Sequence, residues 1–300
     1  MKKKLRMNPI LRKELMVGSR SIKMSFAIMG INAFLAFIVL IVMVTTNLSS
    51  TYGGYDYSAL SYLFPVLGCI ECGLISLIVP IITSGSISGE RERQTLDIML
   101  TTPVSPFSIA LGKLQSAMMV VMMYMITSVP VMAIAFVLGG MSWGALFGLF
   151  AMLLSIGIYV GSVGVFCSSV VKKSVLATIL TIVIGLSIIF VTFTILTAGI
   201  SMKAYQDEIM KAQQFQLGAI PMIMFLNPYS GFVDFLIRTM SSYDLYTLIE
   251  EAGDVDLPAV YGVIYKAWIP ISVVVNLLVS VGFLKLASLK IAATRNKKRK

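Results

Sequence analysis

The chain has 300 residues, of which 57% are hydrophobic and 13% charged, and its mean hydropathy is +0.90. That composition excludes an ordinary soluble globular domain, in which about 25% of residues are charged, and points to a multi-span membrane protein. The formal net charge of +10 and the complete absence of histidine exclude imidazole-based catalysis and the common zinc sites, and leave the charge to be explained by where it lies.

From the N-terminus, Asn8 suits a helix cap and Pro9 the first helical position after it. Apolar side chains at 10, 11, 15, 16 and 17, with charges between them, predict a short amphipathic helix within 1–25 that lies in the membrane interface; a solvated basic leader is the alternative. The basic, mixed stretch of about 25 residues before the first apolar run argues against a cleavable signal sequence. Six stretches then hold the ~20 apolar residues needed to cross ~30 Å of hydrocarbon: 26–46, 59–83, 114–138, 143–167, 175–199 and 265–287.

Polar residues within these spans mark points of interest. Asn32 in the first suits a hydrogen bond to another helix. Glu71, midway along the second, costs about 2.5–3.5 kcal/mol at that depth and must face protein or water. Two readings stand: it lines a polar path, or it bonds in protonated form to a neighbouring helix. Cys69 and Cys72 bracket it as Cys-Ile-Glu-Cys, which fits packing better than metal binding, and the three cysteines give no disulfide framework. Pro65 and Pro80 predict kinks in the same span. Gly140, Gly144, Gly148, Gly157, Gly161 and Gly164 allow close helix approach, either within the chain or to a second subunit. In the fifth span Thr178, Thr181, Ser187, Thr192, Thr194 and Thr197 either line a path or bond back to their own helix.

Residues 200–264 form an expected external segment. A polar, helix-forming piece at 202–216 precedes an apolar piece at 217–240, which Pro221 and Asn227-Pro228 break into lengths too short to cross, so it is predicted to be re-entrant or interfacial. Acidic sequence returns at 243–258. The last span holds Asn276 and leads to a basic tail at 288–300.

Of the 24 Lys and Arg residues, 20 lie before the first span, near 84–113, at Lys172-Lys173, or from Lys285 onward. All of these fall on one side if the six spans alternate, and the opposite side holds nine of the 14 acidic residues. This is the positive-inside pattern, with both termini cytoplasmic. The basic tail then suits orientation or contact with anionic lipid rather than nucleic acid.

The interval 84–107 is the only long charged stretch between apolar runs in the first two thirds of the chain. From Glu90 to Leu100 the residues favour a helix: Glu90 with Arg93 and Arg93 with Asp97 are spaced for side-chain pairs, Leu96, Met99 and Leu100 form an apolar stripe, and Thr101-Thr102-Pro103 stops it. A solvated loop is the alternative, although a loop has no need of such a stripe. The chain has no Gly-x-x-x-x-Gly-Lys-Ser/Thr loop for nucleotide phosphates.

Residues 89–106, Gly-Glu-Arg-Glu-Arg-Gln-Thr-Leu-Asp-Ile-Met-Leu-Thr-Thr-Pro-Val-Ser-Pro, resemble the cytoplasmic signature between the second and third spans of ABC-2-type permeases. Asn8 to Leu15 resembles the interfacial helix of that family, and the six-span layout with an enlarged last external loop is similar to it, so the resemblance covers essentially the whole chain. Gln94 stands where the family often has Gly. The resemblance implies an all-α membrane protein with the type V exporter fold: six transmembrane helices, an N-terminal interfacial helix, a cytoplasmic coupling helix, and re-entrant or extracellular helices between spans five and six. It implies that two such subunits pair, as a homo- or heterodimer among membrane lipids. Each binds a cytoplasmic ATPase that holds ATP and Mg, while this chain binds no cofactor and catalyses nothing.

On the same basis Glu90, Arg91, Glu92, Arg93, Thr95 and Asp97 become ATPase-coupling residues. A pathway between subunits, near spans one, two and five, makes Asn32, Glu71, Thr178 and Thr181 candidates to line it. The expected function is a cell-membrane exporter of a hydrophobic or amphipathic substrate such as a lipid, lipid-linked precursor, peptide or drug. The rivals are an ion-coupled transporter or channel that uses Glu71, and an intramembrane enzyme, for which nothing beyond Cys-Ile-Glu-Cys is visible.

Overall fold

A backbone within hydrocarbon must satisfy its own N–H and C=O groups, and this chain does so with helices. The computed structural model describes residues 22–49, 62–96, 104–138, 141–210, 220–240, 247, 264 and 266–299, and among these there is no strand. The expected interfacial helix near Asn8, residues 97–100 and the acidic stretch 243–258, apart from 247, lie outside them.

The helices are α1 (Ile22–Ser49), α2 (Leu63–Glu92), α3 (Pro106–Leu138), α4 (Trp143–Val170), α5 (Ser174–Met210), α6 (Ser230–Met240) and α7 (Trp268–Arg299), with a 3-10 turn at Ile220–Leu226. All but α6 are long and apolar enough to cross a membrane. Helix ends differ from the apolar stretches. The second helix does not stop at Thr83 but runs on to Glu92. The fifth continues through 200–210, so the start of the expected separate polar helix belongs to α5. The seventh carries the basic tail in helical form to Arg299. No proline interrupts these extensions, most of their residues are fair to good helix formers, and the glycines at 85 and 89 are tolerated in a helix already anchored on both sides. Pro65 sits in the first turn of α2, where no intrahelical N–H is needed, whereas Pro80 lies in the helix interior.

The fourth helix is the core. Of its apolar window 72% is buried, against 17% for α1 and for α5. It is apolar all round, as a helix enclosed by others must be. Its closest partner is α2, which runs parallel to it: Gly68 of α2 meets Leu149, Gly157 meets Ile75, Gly161 meets Val79, and Gly164 meets Thr83. Between lipid-exposed helices there is no hydrophobic drive to associate, so this contact depends on backbone proximity and hydrogen bonds. The glycines at 157, 161 and 164 thus serve packing within the chain, against α2 and against Leu114 and Met118 of α3.

The 3-10 turn and α6 form a short elbow on the acidic side. Phe225 stacks on Trp268 of α7 with ring centroids 4.0 Å apart, and Phe235 lies over Gly148, where an added Cβ would come within 2.6 Å of the ring.

Replacing Gly164 by Val forces a side chain into Thr83 and the backbone at Ser84. We expect a loss of about 1–3 kcal/mol, read as a lower melting temperature in detergent. Gly73→Ala, where a Cβ meets nothing within 4 Å, is expected to hold or raise it.

Candidate functional site

The charged end of α2 is where sequence and structure converge. Thirty helical residues at 1.5 Å each span about 45 Å, more than ~30 Å of hydrocarbon, so the polar end from Ser84 to Glu92 projects beyond the apolar layer. The expected helix from Glu90 to Leu100 is therefore not a separate element at its start. Glu90, Arg91 and Glu92 are the last turn of α2, and the break comes after them.

That break is a Schellman motif. Gln94 has φ 58°, in the left-handed region; its N–H donates to the Arg91 carbonyl (3.1 Å), and the Thr95 N–H donates to the Glu90 carbonyl (2.9 Å). The Thr95 hydroxyl bonds to the Glu90 carboxylate as well. Left-handed φ is the reason a glycine suits position 94. Leu96, the last described residue before Val104, is buried.

Three consecutive side chains then reach three other helices. Successive residues on a helix point about 100° apart, so three in a row sweep roughly 200° of its surface. Glu90 pairs with Lys113 of α3 at 3.4 Å, the lysine only 6% exposed. Arg91 donates to the carbonyls of Val171 (3.2 Å) and Ser169 (3.3 Å) at the end of α4. Glu92 accepts from the backbone N–H (2.9 Å) and hydroxyl (2.7 Å) of Ser174, the first residue of α5. These two bonds hold the exposed Glu92 carboxyl below the usual carboxylate range. Arg93 caps α2 through its backbone N–H, which donates to the Gly89 carbonyl (3.0 Å), and its exposed side chain makes no hydrogen bond among the described residues. Asp97 lies outside the described residues.

A seam of hydroxyls continues inward. The Ser168 hydroxyl of α4 accepts the N–H groups of Ile87 (2.8 Å) and Ser88 (2.9 Å), and Ser84 bonds to Thr178 of α5 at 2.5 Å.

The candidate path residues do not meet in one place. Asn32 bonds to Thr127 of α3 (3.1 Å) and to the Ile28 carbonyl (2.9 Å). Glu71 is fully buried within the bundle near the Ser128 hydroxyl of α3, and the nearby Tyr124 hydroxyl makes no hydrogen bond among the described residues. Thr178 belongs to the α2–α5 contact, and Thr181 is buried and bonded to Ala177 O (2.7 Å). Ser187, Thr194 and Thr197 bond back to their own helix.

On the acidic side the structure shows a second polar cluster, which in the sequence was visible only as a break and one polar residue. Asn227 donates to Thr192 of α5 (3.0 Å), Tyr229 to Ser76 of α2 (2.9 Å), Asn276 of α7 to the Pro228 carbonyl (3.3 Å) and Tyr159 of α4 to the Leu226 carbonyl (3.4 Å). One turn is thereby bound by four helices.

Two outcomes are expected here. Gln94→Gly should stabilise the protein by about 1 kcal/mol by relieving the left-handed strain, and Gln94→Val should destabilise it, both read in thermal unfolding. A carboxyl depressed by native hydrogen bonds stabilises above its ordinary pKa and loses that effect as pH falls through the lowered value. Hydrogen-exchange protection of the Ser174 amide is therefore expected to fall on acidification in the wild type and to be low at every pH in Glu92→Ala.

The model of the ABC-2 family transporter proteins matches residues 14–287. No curated protein matches the chain. A family of this kind supplies the membrane permease of an ABC transporter and implies an ATPase partner. The match takes in five crossing helices whole, most of the sixth and the charged end of α2, and the chain is thus a multi-pass membrane protein belonging to the ABC-2 transporter family.

Proposed function

We propose that this chain is the transmembrane subunit of an ATP-driven exporter, with its basic side and both termini in the cytoplasm of a cell whose plasma membrane it crosses. It pairs with a second permease subunit, and the exposed apolar faces of α1 and α5 (Phe37, Phe190 and Phe193 are each more than half exposed) supply surface for that partner and for lipid. Its substrate is hydrophobic or amphipathic: a lipid, a lipid-linked precursor, a peptide or a drug. A separate ATPase binds ATP and Mg and presses on the turn that follows α2, with Asp97 among its contacts. Asn32, Glu71, Thr178 and Thr181 stand behind the walls of the seam and are reached as the helices part.

The observation that carries this reading is the engagement of Glu90, Arg91 and Glu92 with α3, α4 and α5. A load applied at the tip of α2 is thereby shared by four helices at once, as a rigid-body switch requires. Glu90, Arg91, Glu92 and Thr95 are in this reading transmitters within the chain.

The test is purification of the intact complex in mild detergent. An ATPase is expected to co-purify, and its absence would sink the reading. Asp97→Lys should reduce co-purification at least tenfold with membrane insertion intact, whereas Arg91→Ala should keep the ATPase and lower transport per ATP hydrolysed. A second reading rests on Glu71, a carboxyl fully buried within the bundle. An ion-coupled transporter would keep transporting in ATP-depleted vesicles and lose transport in Glu71→Gln.

A further inference from the structure

Between the charged end of α2 and the start of α3 lies a groove of about 260 Å³, lined by Ser86, Glu90, Arg93, Lys113 and Ser116 over the backbone of Gly85 and Gly89. Ile82 forms its inner edge and also the outer edge of a deeper slot of about 340 Å³. That slot is enclosed by Ile28 and Ile31 of α1, Ile75 and Ile78 of α2, and Val121 and the ring of Tyr124 of α3. Polarity is therefore ordered along α2, charged at the rim and aliphatic within.

The dimensions match one lipid. Ile75 and Gly89 are 14 helical positions apart, about 21 Å, which is half of a bilayer ~40–45 Å thick with its headgroups. The rim holds two cations against one carboxylate, so it favours an anion. Lys113 is already paired with Glu90, and the exposed Arg93 guanidinium offers the forked geometry that phosphate accepts. The Ser86 hydroxyl, at the wall of the groove, is buried without a hydrogen-bond partner among the described residues, and a phosphate oxygen that displaced its neighbours would supply one. The inner slot has no group to hold water, and an acyl chain fits its aliphatic walls. At Gly89 an added Cβ meets nothing within 4 Å among the described residues.

We propose that this two-part groove binds one anionic glycerophospholipid of the leaflet on the basic side, its phosphate between Arg93 and Ser86 and one acyl chain in the slot bounded by α1, α2 and α3. The site is built from α1, α2 and α3 of a single chain. It does not depend on the exporter reading.

The experiment is native mass spectrometry of the full-length chain, purified with its partners, delipidated, and titrated with phosphatidylglycerol or phosphatidylcholine. One phosphatidylglycerol per chain is expected, at least tenfold tighter than phosphatidylcholine. Gly89→Leu, which fills the rim, and Val121→Trp, which fills the slot, should each weaken it at least tenfold. Gly73→Leu, the same change at an open position away from the groove, should leave it unchanged, and Arg93→Gln should abolish the preference for phosphatidylglycerol. Equal retention of both lipids by the wild type and all four variants overturns the proposal. So does displacement of the lipid by millimolar inorganic phosphate, which would mark a simple anion site. A Ser86→Cys thiol as protected from a polar maleimide in delipidated protein as in lipid-loaded protein would show that the chain's own segments cover the groove, and also overturns it.

Discussion

The fan of Glu90, Arg91 and Glu92 is the interaction on which the rest of the basic side depends, and its charge order follows from chain geometry. Only residues 171–173 separate the end of α4 from the start of α5. A helix C-terminus presents carbonyls and a partial negative charge, and an N-terminus presents N–H groups and a partial positive charge. The tight link sets these opposite poles side by side. Two adjacent residues of opposite sign on α2 can then serve both, Arg91 on the carbonyls and Glu92 on the Ser174 N–H. Exchanging the two signs would turn both contacts repulsive. Glu90, one step back on the helix, is directed at α3, where a largely buried Lys113 needs a counter-charge.

Hydropathy made the number of crossing helices legible, because lipid imposes length and apolarity on every span. It did not make the helix ends legible, because hydropathy records where a chain leaves hydrocarbon and a helix ends where its backbone bonds end. In α2 the first event falls near Thr83 and the second at Arg93. The stop signal was hidden as well. Glutamine in a left-handed cap carries no mark in a sequence, whereas a glycine there would have read as a helix end. Without it, the spacing of Glu90, Arg93 and Asp97 looked like the start of a helix when it straddles the end of one.

The same limit applied to the site. Glu90, Arg91 and Glu92 stood out correctly as unusual, but a sequence cannot show that their partners lie at 113, 169–171 and 174. The two asparagines at 227 and 276 were legible as a break and as a lone polar residue; only the fold brings them to one turn. The glycines of α4 could serve a neighbour in the chain or another subunit until Thr83, Val79 and Leu114 were found against them.

The two polar clusters differ in a way that bears on motion. On the basic side α2 is held by charges at its tip and by Ser168 against its backbone; on the acidic side it is held by one neutral bond, Tyr229 to Ser76. Pro80 stands between them and has no N–H to give the Ser76 carbonyl, so the hydrogen-bond ladder of α2 is weakest just where the outer anchor attaches. Both halves of the helix are fixed to neighbours, and tilt of one relative to the other must therefore concentrate near Pro80. The charged tip contacts α3, α4 and α5 on the basic side, and the turn at 227–229 is bonded to α2 at Ser76 and to α5 at Thr192, so the elbow on the acidic side and the tip of α2 share two of the same helices.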